Sequence, residues 1–214
     1  RSSDLMLDGF VAAGRSTLEL DSAVEAFIRH ELKARPASLG QYDYPFSINT
    51  SINEVVCHGM PSATQILKDG DIINIDITLE KGGFIADSSK MYMIGAVSPK
   101  ARRLVEMTFE AMWAGIRQVK PGARLGDVGH AIQSHAQANG YSVVREYCGH
   151  GIGRQMHEEP QVLHFGRPGT GLELREGMVF TIEPMLNQGS AKVRGLKDGW
   201  TVVTKDNRDR KSVV

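Results

Sequence analysis

The feature that most restricts what this chain can fold into is a long internal repeat. Leu67-Lys68-Asp69-Gly70-Asp71-Ile72-Ile73-Asn74-Ile75-Asp76 aligns with Leu174-Arg175-Glu176-Gly177-Met178-Val179-Phe180-Thr181-Ile182-Glu183. Basic residue matches basic, glycine matches glycine, and each segment ends in an acid. Upstream of each stands a cysteine–histidine pairing: Val56-Cys57-His58-Gly59-Met60 in the first, Cys148-Gly149-His150-Gly151-Ile152 in the second. More loosely, Gly14-Arg15-Ser16-Thr17-Leu18-Glu19-Leu20-Asp21 resembles Pro121-Gly122-Ala123-Arg124-Leu125-Gly126-Asp127. A period of roughly a hundred residues is too long for a solenoid. It predicts two halves of similar topology, about 1–97 and 98–214, packed as one domain.

Local patterning fills in the halves. Leu20, Ala23, Val24, Phe27, Ile28 and Leu32 recur at helical spacing, and Ser16-Thr17-Leu18-Glu19 supplies a capping-box start. A second helix begins near Ser98-Pro99, with proline in the first turn, and runs through Leu104, Val105, Met112, Trp113 and Ile116; a third covers Leu125 to Ala138. Strands are expected at Ile52–Cys57, Ile72–Leu79, Phe84–Ile94, Ser142–Glu146, Met178–Glu183 and Trp200–Thr204. In the second of these, Ile73, Ile75, Ile77 and Leu79 share one face, which leaves Asn74, Asp76 and Thr78 on the other. The mixture points to an α/β (α+β) chain, with hairpin-like strand pairs and helices on one face.

At 214 residues the chain can bury one substantial core, and its 41% apolar and 23% charged residues are ordinary globular composition. Lys plus Arg equals Asp plus Glu at 25 each. That balance argues against nucleic acid or an anionic membrane as partner. Two cysteines, neither in a CxxC, argue against a disulfide framework and for a reducing, cytoplasmic setting. No long apolar run and no basic-then-apolar leader is visible, so neither a membrane span nor a secretory signal is expected.

The chemistry is carried by acids in unusual places. Asp76 lies mid-strand between isoleucines, where a carboxylate is costly to bury unless a cation or several donors satisfy it. Glu183 holds the repeat-equivalent position. Asp87 follows eleven residues after Asp76, past Gly82-Gly83, so a hairpin can return it alongside. His150 sits among glycines that permit close backbone approach and an exposed imidazole. The competing reading is that the acids cap turns or pair with arginines; for Asp87 alone, in Asp-Ser-Ser, a turn acid would be the favoured reading. Together, three carboxylates and an imidazole suit Mn, Fe, Co or Zn in a two-metal hydrolytic centre better than a structural zinc.

These blocks resemble those of the type I, bacterial kind of methionine aminopeptidase. The resemblance rests on His58 in Cys-His-Gly, Asn74-Ile75-Asp76, Asp87-Ser88-Ser89-Lys90 and Tyr147-Cys148-Gly149-His150-Gly151-Ile152-Gly153-Arg154. It extends through His157-Glu158-Glu159-Pro160-Gln161-Val162, Phe180-Thr181-Ile182-Glu183-Pro184-Met185 and Lys197-Asp198-Gly199-Trp200-Thr201-Val202. It implies the duplicated, pseudo-two-fold "pita-bread" fold, an antiparallel sheet with helices on its outer face. It implies two divalent ions (Co, Mn, Fe, Zn or Ni) held by Asp76, Asp87, His150 and Glu183. Glu183 would also accept a proton from the attacking water, His157 would steady the tetrahedral intermediate, and His58 would contact the substrate. Tyr44, Asn49, Met156 and Trp200 would line the methionine pocket, with core packing the alternative for Met156 and Trp200. Many family members have cysteine at the position of Asn49 and an aromatic residue at that of Met156, which marks a variant subgroup whose substrate range or inhibitor selectivity can differ.

The resemblance further implies removal of initiator methionine from nascent polypeptides with a small second residue, at the ribosome, by a cytoplasmic monomer. The family's fifth ligand, a glutamate, would fall at Val214, with Asp206 and Asp209 nearby, so one ion is expected to bind adequately, the second weakly, and activity to be low. Two other readings stand beside this one: an Xaa-Pro peptidase on the same fold, and a metal-depleted relative that binds peptides or partners without cleaving them. His30, His130, His135 and His164 are read as surface or structural residues, and 205–211 as a solvated segment.

Overall fold

Ser16 starts the first helix as the sequence predicts. In the computed structural model, which describes residues 6–205 and 212–213, its side chain accepts the Glu19 N–H at 3.2 Å, while Glu19 accepts the Ser16 N–H at 2.7 Å. Two orphan donors are thereby satisfied at the head of α1 (Thr17–His30). Asp127 does the same for Arg124, accepting its N–H at 2.8 Å at the head of the equally long α3 (Leu125–Ala138). Between them, α2 (Pro99–Ile116) starts on Ser98 with proline in its first turn. Among the described residues, no helix is long and apolar enough to cross a membrane.

The repeat is visible in the hydrogen bonds ahead of these helices. Gly14 donates to the Leu67 carbonyl at 2.8 Å and Leu67 donates to that of Arg15 at 2.8 Å; in the second half Gly122 donates to Leu174 at 2.9 Å and Leu174 to Ala123 at 2.7 Å. Equivalent sequence has made equivalent contacts.

Strands β1 (Arg35–Pro36), β2 (Ile48–Ile52), β4 (Ile72–Lys81) and β5 (Phe84–Met93) form an antiparallel sheet in the order β1-β4-β2, with β5 on β4. As the alternation predicted, Ile73, Ile75 and Ile77 pack with Leu20, Val24 and Ile28 of α1. Each fully buried isoleucine contributes about 1.5–3 kcal/mol. The expected single strand Ile52–Cys57 is two: Asn53, at φ 53°, turns the chain from β2 into β3 (Val55–Cys57). Asn53 is held in that turn by bonds to Asp71 and to the Ile72 N–H.

The second half builds its core from α2 and α3, with Leu104 and Ala111 against Val128, Ile132 and Ala136. Gly115 lets the helices close, since a Cβ there would stand 2.7 Å from the Ile132 side chain. Small residues on that face (Thr108, Ala111, Gly115) displace the larger ones outward. Trp113, counted above in the apolar pattern, is 41% exposed beside Phe109. Short strands complete the half: β6 (Ser142–Val143), β7 (Gly149–Gly151), β8 (Glu158–Val162), β9 (Leu186–Asn187), β10 (Val193–Gly195), β11 (Val202–Thr204) and β12 (Ser212–Val213). The segments expected at Ser142–Glu146 and Trp200–Thr204 are shortened accordingly. β11 pairs with β3, so one sheet spans both halves, and Val56, Cys57, Val144, Met185 and Val202 form a small core at that junction.

Met178–Glu183 is not a strand. It makes a single bridge, Phe180 to Gly151, and then leaves the ladder. Glu183 therefore reaches its place on irregular backbone and not, like Asp76, from a strand.

Candidate active site

All ten residues singled out from the sequence line one cavity of about 540 Å³: Asp76, Asp87, His150 and Glu183, His58 and His157, and Tyr44, Asn49, Met156 and Trp200. The β4–β5 register sets the two aspartates. Asp76 opposes Ser89 and Asp87 opposes Thr78, so they are diagonal neighbours on the face away from the isoleucine core. The positive-φ pair Gly82-Gly83 makes the turn between their strands.

His150 lies on β7, a short strand where a Gly-rich turn with an exposed imidazole was expected, and its side chain is only 12% exposed. The flanking glycines are there for proximity: a Cβ on Gly149 would stand 2.4 Å from the Thr181 carbonyl oxygen, and one on Gly151 2.2 Å from that of Glu159. His150 Nδ1 faces the Gly151 carbonyl oxygen at 3.0 Å. A carbonyl only accepts, so Nδ1 carries a proton and donates it, and Nε2 is the nitrogen turned toward the carboxylates. That Nε2 lies 3.8 Å from Asp87 Oδ2 and 3.5 Å from Glu183 Oε1.

The electrostatics are those of a site short of positive charge. Burial first, then the charges of Asp87 and Glu183, hold the Asp76 carboxyl well above its ordinary range. Burial also raises Asp87, against bonds from Asp76 and Thr78 and the nearby imidazole of His150. Burial likewise pushes Glu183 up to about 8, against a 2.6 Å bond from the Thr181 hydroxyl. Asp76 Oδ1 is buried with no hydrogen-bond partner, while its Oδ2 accepts from Asn49 at 3.4 Å. An unpartnered buried carboxylate oxygen is costly, and a cation is the group that would satisfy it.

A divalent ion therefore fits these residues: hard oxygens, one oriented imidazole and an orphaned acceptor. Among the described residues no three such side chains already converge as a finished cage. The residues that would hold such an ion are Asp76, Asp87, His150 and Glu183, all of which line this one cavity.

Around this centre, burial and then His157 lower the pKa of His58; burial and then His150 lower that of His157. Both imidazoles are thereby favoured as neutral N–H donors. His157 lies 4.5 Å from His150, ring centre to ring centre, and stacks on Tyr42. The apolar wall is firmer: Tyr44 is 3% exposed, meets Trp200 edge-to-face at 4.9 Å, and donates its hydroxyl proton to the Ile48 carbonyl at 3.0 Å.

Sequence reasoning missed the residues that hold these groups. Thr181 accepts the His150 N–H at 2.9 Å while its own hydroxyl binds Glu183; its position two before Glu183 was the available signal. Asn49, taken only as a pocket residue, also restrains Asp76. His164, read as surface or structural, is 1% exposed and accepts the Glu183 N–H on Nε2 at 3.1 Å. Burial pushes its imidazole down to about 3, so it is neutral. His30 and His130 are exposed, and His135 is half-buried near Glu110. Asp206, Asp209 and Val214 lie outside the described residues.

The model of metallopeptidase family M24 matches residues 3–206. The methionine aminopeptidase of Escherichia coli K12 is 52% identical over 201 residues, covering 94% of this chain and 76% of that protein. Methionine aminopeptidase B of Synechocystis is 53% identical over 206 residues, covering 94% and 75%. The crystal structure of the methionine aminopeptidase from Rickettsia prowazekii superposes with a TM-score of 0.95 at 46% identity, covering 99% of this chain and 84% of that one. The prolidase of Pyrococcus horikoshii shares the fold alone, with a TM-score of 0.70 at 20% identity over 99% of this chain and 54% of that one.

Proposed function

This chain belongs to metallopeptidase family M24, and we propose that Asp76, Asp87, His150 and Glu183 hold its divalent ions while His58 and His157 handle the substrate. The activity is that of a metal-dependent methionine aminopeptidase, which removes the N-terminal methionine from polypeptides. The observation that carries the reading is the buried, unpartnered Asp76 Oδ1 in a cavity shared with Asp87, His150 and Glu183.

When bound, the ions polarise the scissile carbonyl and acidify water. Asp76 and Asp87 bind from the hairpin, His150 from β7 and Glu183 from its irregular segment. Glu183, ionised once it holds an ion, would take the proton of the attacking water. His157 donates to the developing oxyanion and His58 steadies the peptide beside the cleaved amide; donors and acceptors of this kind typically contribute about a hundredfold or more each. The methionine side chain packs among Tyr44, Asn49, Met156 and Trp200. We take the halves 1–97 and 98–214 as one catalytic domain carrying a pair of ions, drawn from Co, Mn, Fe, Zn or Ni. Its partners are nascent N-termini with small second residues, met at the ribosome by a cytoplasmic monomer.

The test is hydrolysis of Met-Ala-Ser and of Xaa-Pro peptides with Mn or Co, alongside elemental analysis. Free methionine from the first only, abolished by Asp76→Ala, is expected. Cleavage of Xaa-Pro peptides would assign the site to the other peptidase class, and near-zero metal content would make it a binding module.

A further inference from the structure

We propose that His164 is a positioning residue for Glu183, its imidazole standing in for the strand partner that the backbone around Glu183 lacks. The inference rests on reading Glu183 as a metal ligand.

The bridge between Phe180 and Gly151 carries the Thr181 N–H to the His150 carbonyl, and pairing resumes where the Met185 carbonyl accepts the Val144 N–H; residues 182–184, between them, lie off both ladders. On a paired strand, the neighbouring backbone would aim the side chain. Here the Glu183 N–H donates to His164 Nε2 at 3.1 Å, nineteen residues back in the chain. Pro184 restricts the Glu183 backbone from the other side, because its ring disfavours helical geometry in the residue before it. Thr181 then holds the carboxyl itself at 2.6 Å. Amide, carbonyl side and carboxyl are each restrained by a different group, and without His164 the first restraint is lost.

The imidazole is well placed for this. It is 1% exposed and sits two residues beyond the end of β8, the strand whose Glu158, Glu159 and Gln161 line the cavity. Its fixed attachment to that wall gives Glu183 a rigid reference. Since a neutral imidazole carries one acceptor nitrogen, the Glu183 amide takes Nε2 and the proton is left on Nδ1.

The competing interpretation is a buried histidine that only fills space. Glutamine and asparagine separate the two, being polar amides of similar size: the glutamine oxygen reaches the place of Nε2, and the asparagine oxygen only that of Nδ1. The metal-free full chain is titrated with Mn²⁺ alone by calorimetry, with urea unfolding in parallel. His164→Gln is expected to stay within about threefold of the wild-type affinity, and His164→Asn to fall by roughly 10–100-fold, the usual cost of losing a group that orients a ligand. At saturating Mn²⁺ the loss in His164→Asn should appear in kcat for Met-Ala-Ser and not in KM. Equal affinities for the two variants, or a large loss in a His164→Gln chain as stable as wild type, overturns the proposal. Wild-type Mn²⁺ affinity that survives Glu183→Gln unchanged would instead overturn the metal reading of Glu183 on which it rests.

Discussion

Thr181 is the residue whose replacement tests the site most sharply, because one hydroxyl serves both His150 and Glu183, two of the proposed ligands. Its oxygen accepts the His150 N–H at 2.9 Å and its proton goes to Glu183 Oε1 at 2.6 Å. Thr181→Val keeps the shape and removes both bonds. The His150 N–H loses its acceptor in a part-buried place, which costs about 1–3 kcal/mol. The bond from Thr181 to His150 O, made by the backbone N–H at 2.8 Å, survives, so the fold is expected to hold. With a urea slope of about 2 kcal/mol/M, a loss of about 2 kcal/mol moves the unfolding midpoint down by about 1 M. Glu183, deprived of the donor that lowers its pKa, becomes harder to ionise, and Mn²⁺ affinity should fall roughly 10–100-fold. Thr181→Ser is the control, since it retains the hydroxyl. If the valine and serine variants matched each other in both urea midpoint and Mn²⁺ affinity, the two-ligand role would be wrong.

Two further outcomes follow from the same geometry. Gly149→Ala would set a Cβ 2.4 Å from the Thr181 carbonyl oxygen, forcing β7 away from its neighbour; a stability loss of about 1–3 kcal/mol is expected in thermal or urea unfolding, together with reduced turnover, and an unchanged midpoint would sink it. Asp21, whose Oδ1 accepts the Ser47 and Ile48 N–H groups at 2.8 and 3.1 Å, is raised by burial to about 6. The folded chain then binds that proton more tightly than the unfolded one (unfolded pKa about 3.9), so this residue's contribution to stability declines as pH rises from about 4 to 6 and is level above. Asp21→Asn keeps an acceptor for both amides and abolishes the decline, so its advantage over wild type should grow across that window; parallel stability–pH curves would refute the assignment.

The sequence by itself determined what depends on near neighbours. The capping box at Ser16, the ends of α3 and the alternation of Ile73, Ile75 and Ile77 with Asp76 follow from residues a few positions apart, where helix and strand periods act. The repeat went further, because two similar segments must make similar contacts, and it set Asp76 and Glu183 in corresponding places. Asp76, Asp87, Glu183 and His150 were likewise legible, as chemically costly groups in patterned surroundings, whereas His58, His157, Tyr44, Asn49, Met156 and Trp200 were reached only through the family resemblance.

What only the tertiary structure decided is how those groups are held. Asp76 reaches the cavity from a paired strand and Glu183 from irregular backbone, a difference the aligned sequences conceal. That asymmetry follows from β7 offering Thr181 its backbone while Glu183 finds only an imidazole nineteen residues away. Trp113 faces outward because α3 leaves room at that helix face for Ala111 and Gly115 and nothing larger. Such choices depend on which distant backbone arrives within hydrogen-bond reach of about 3 Å, and the spacing of residues along one segment carries no record of it.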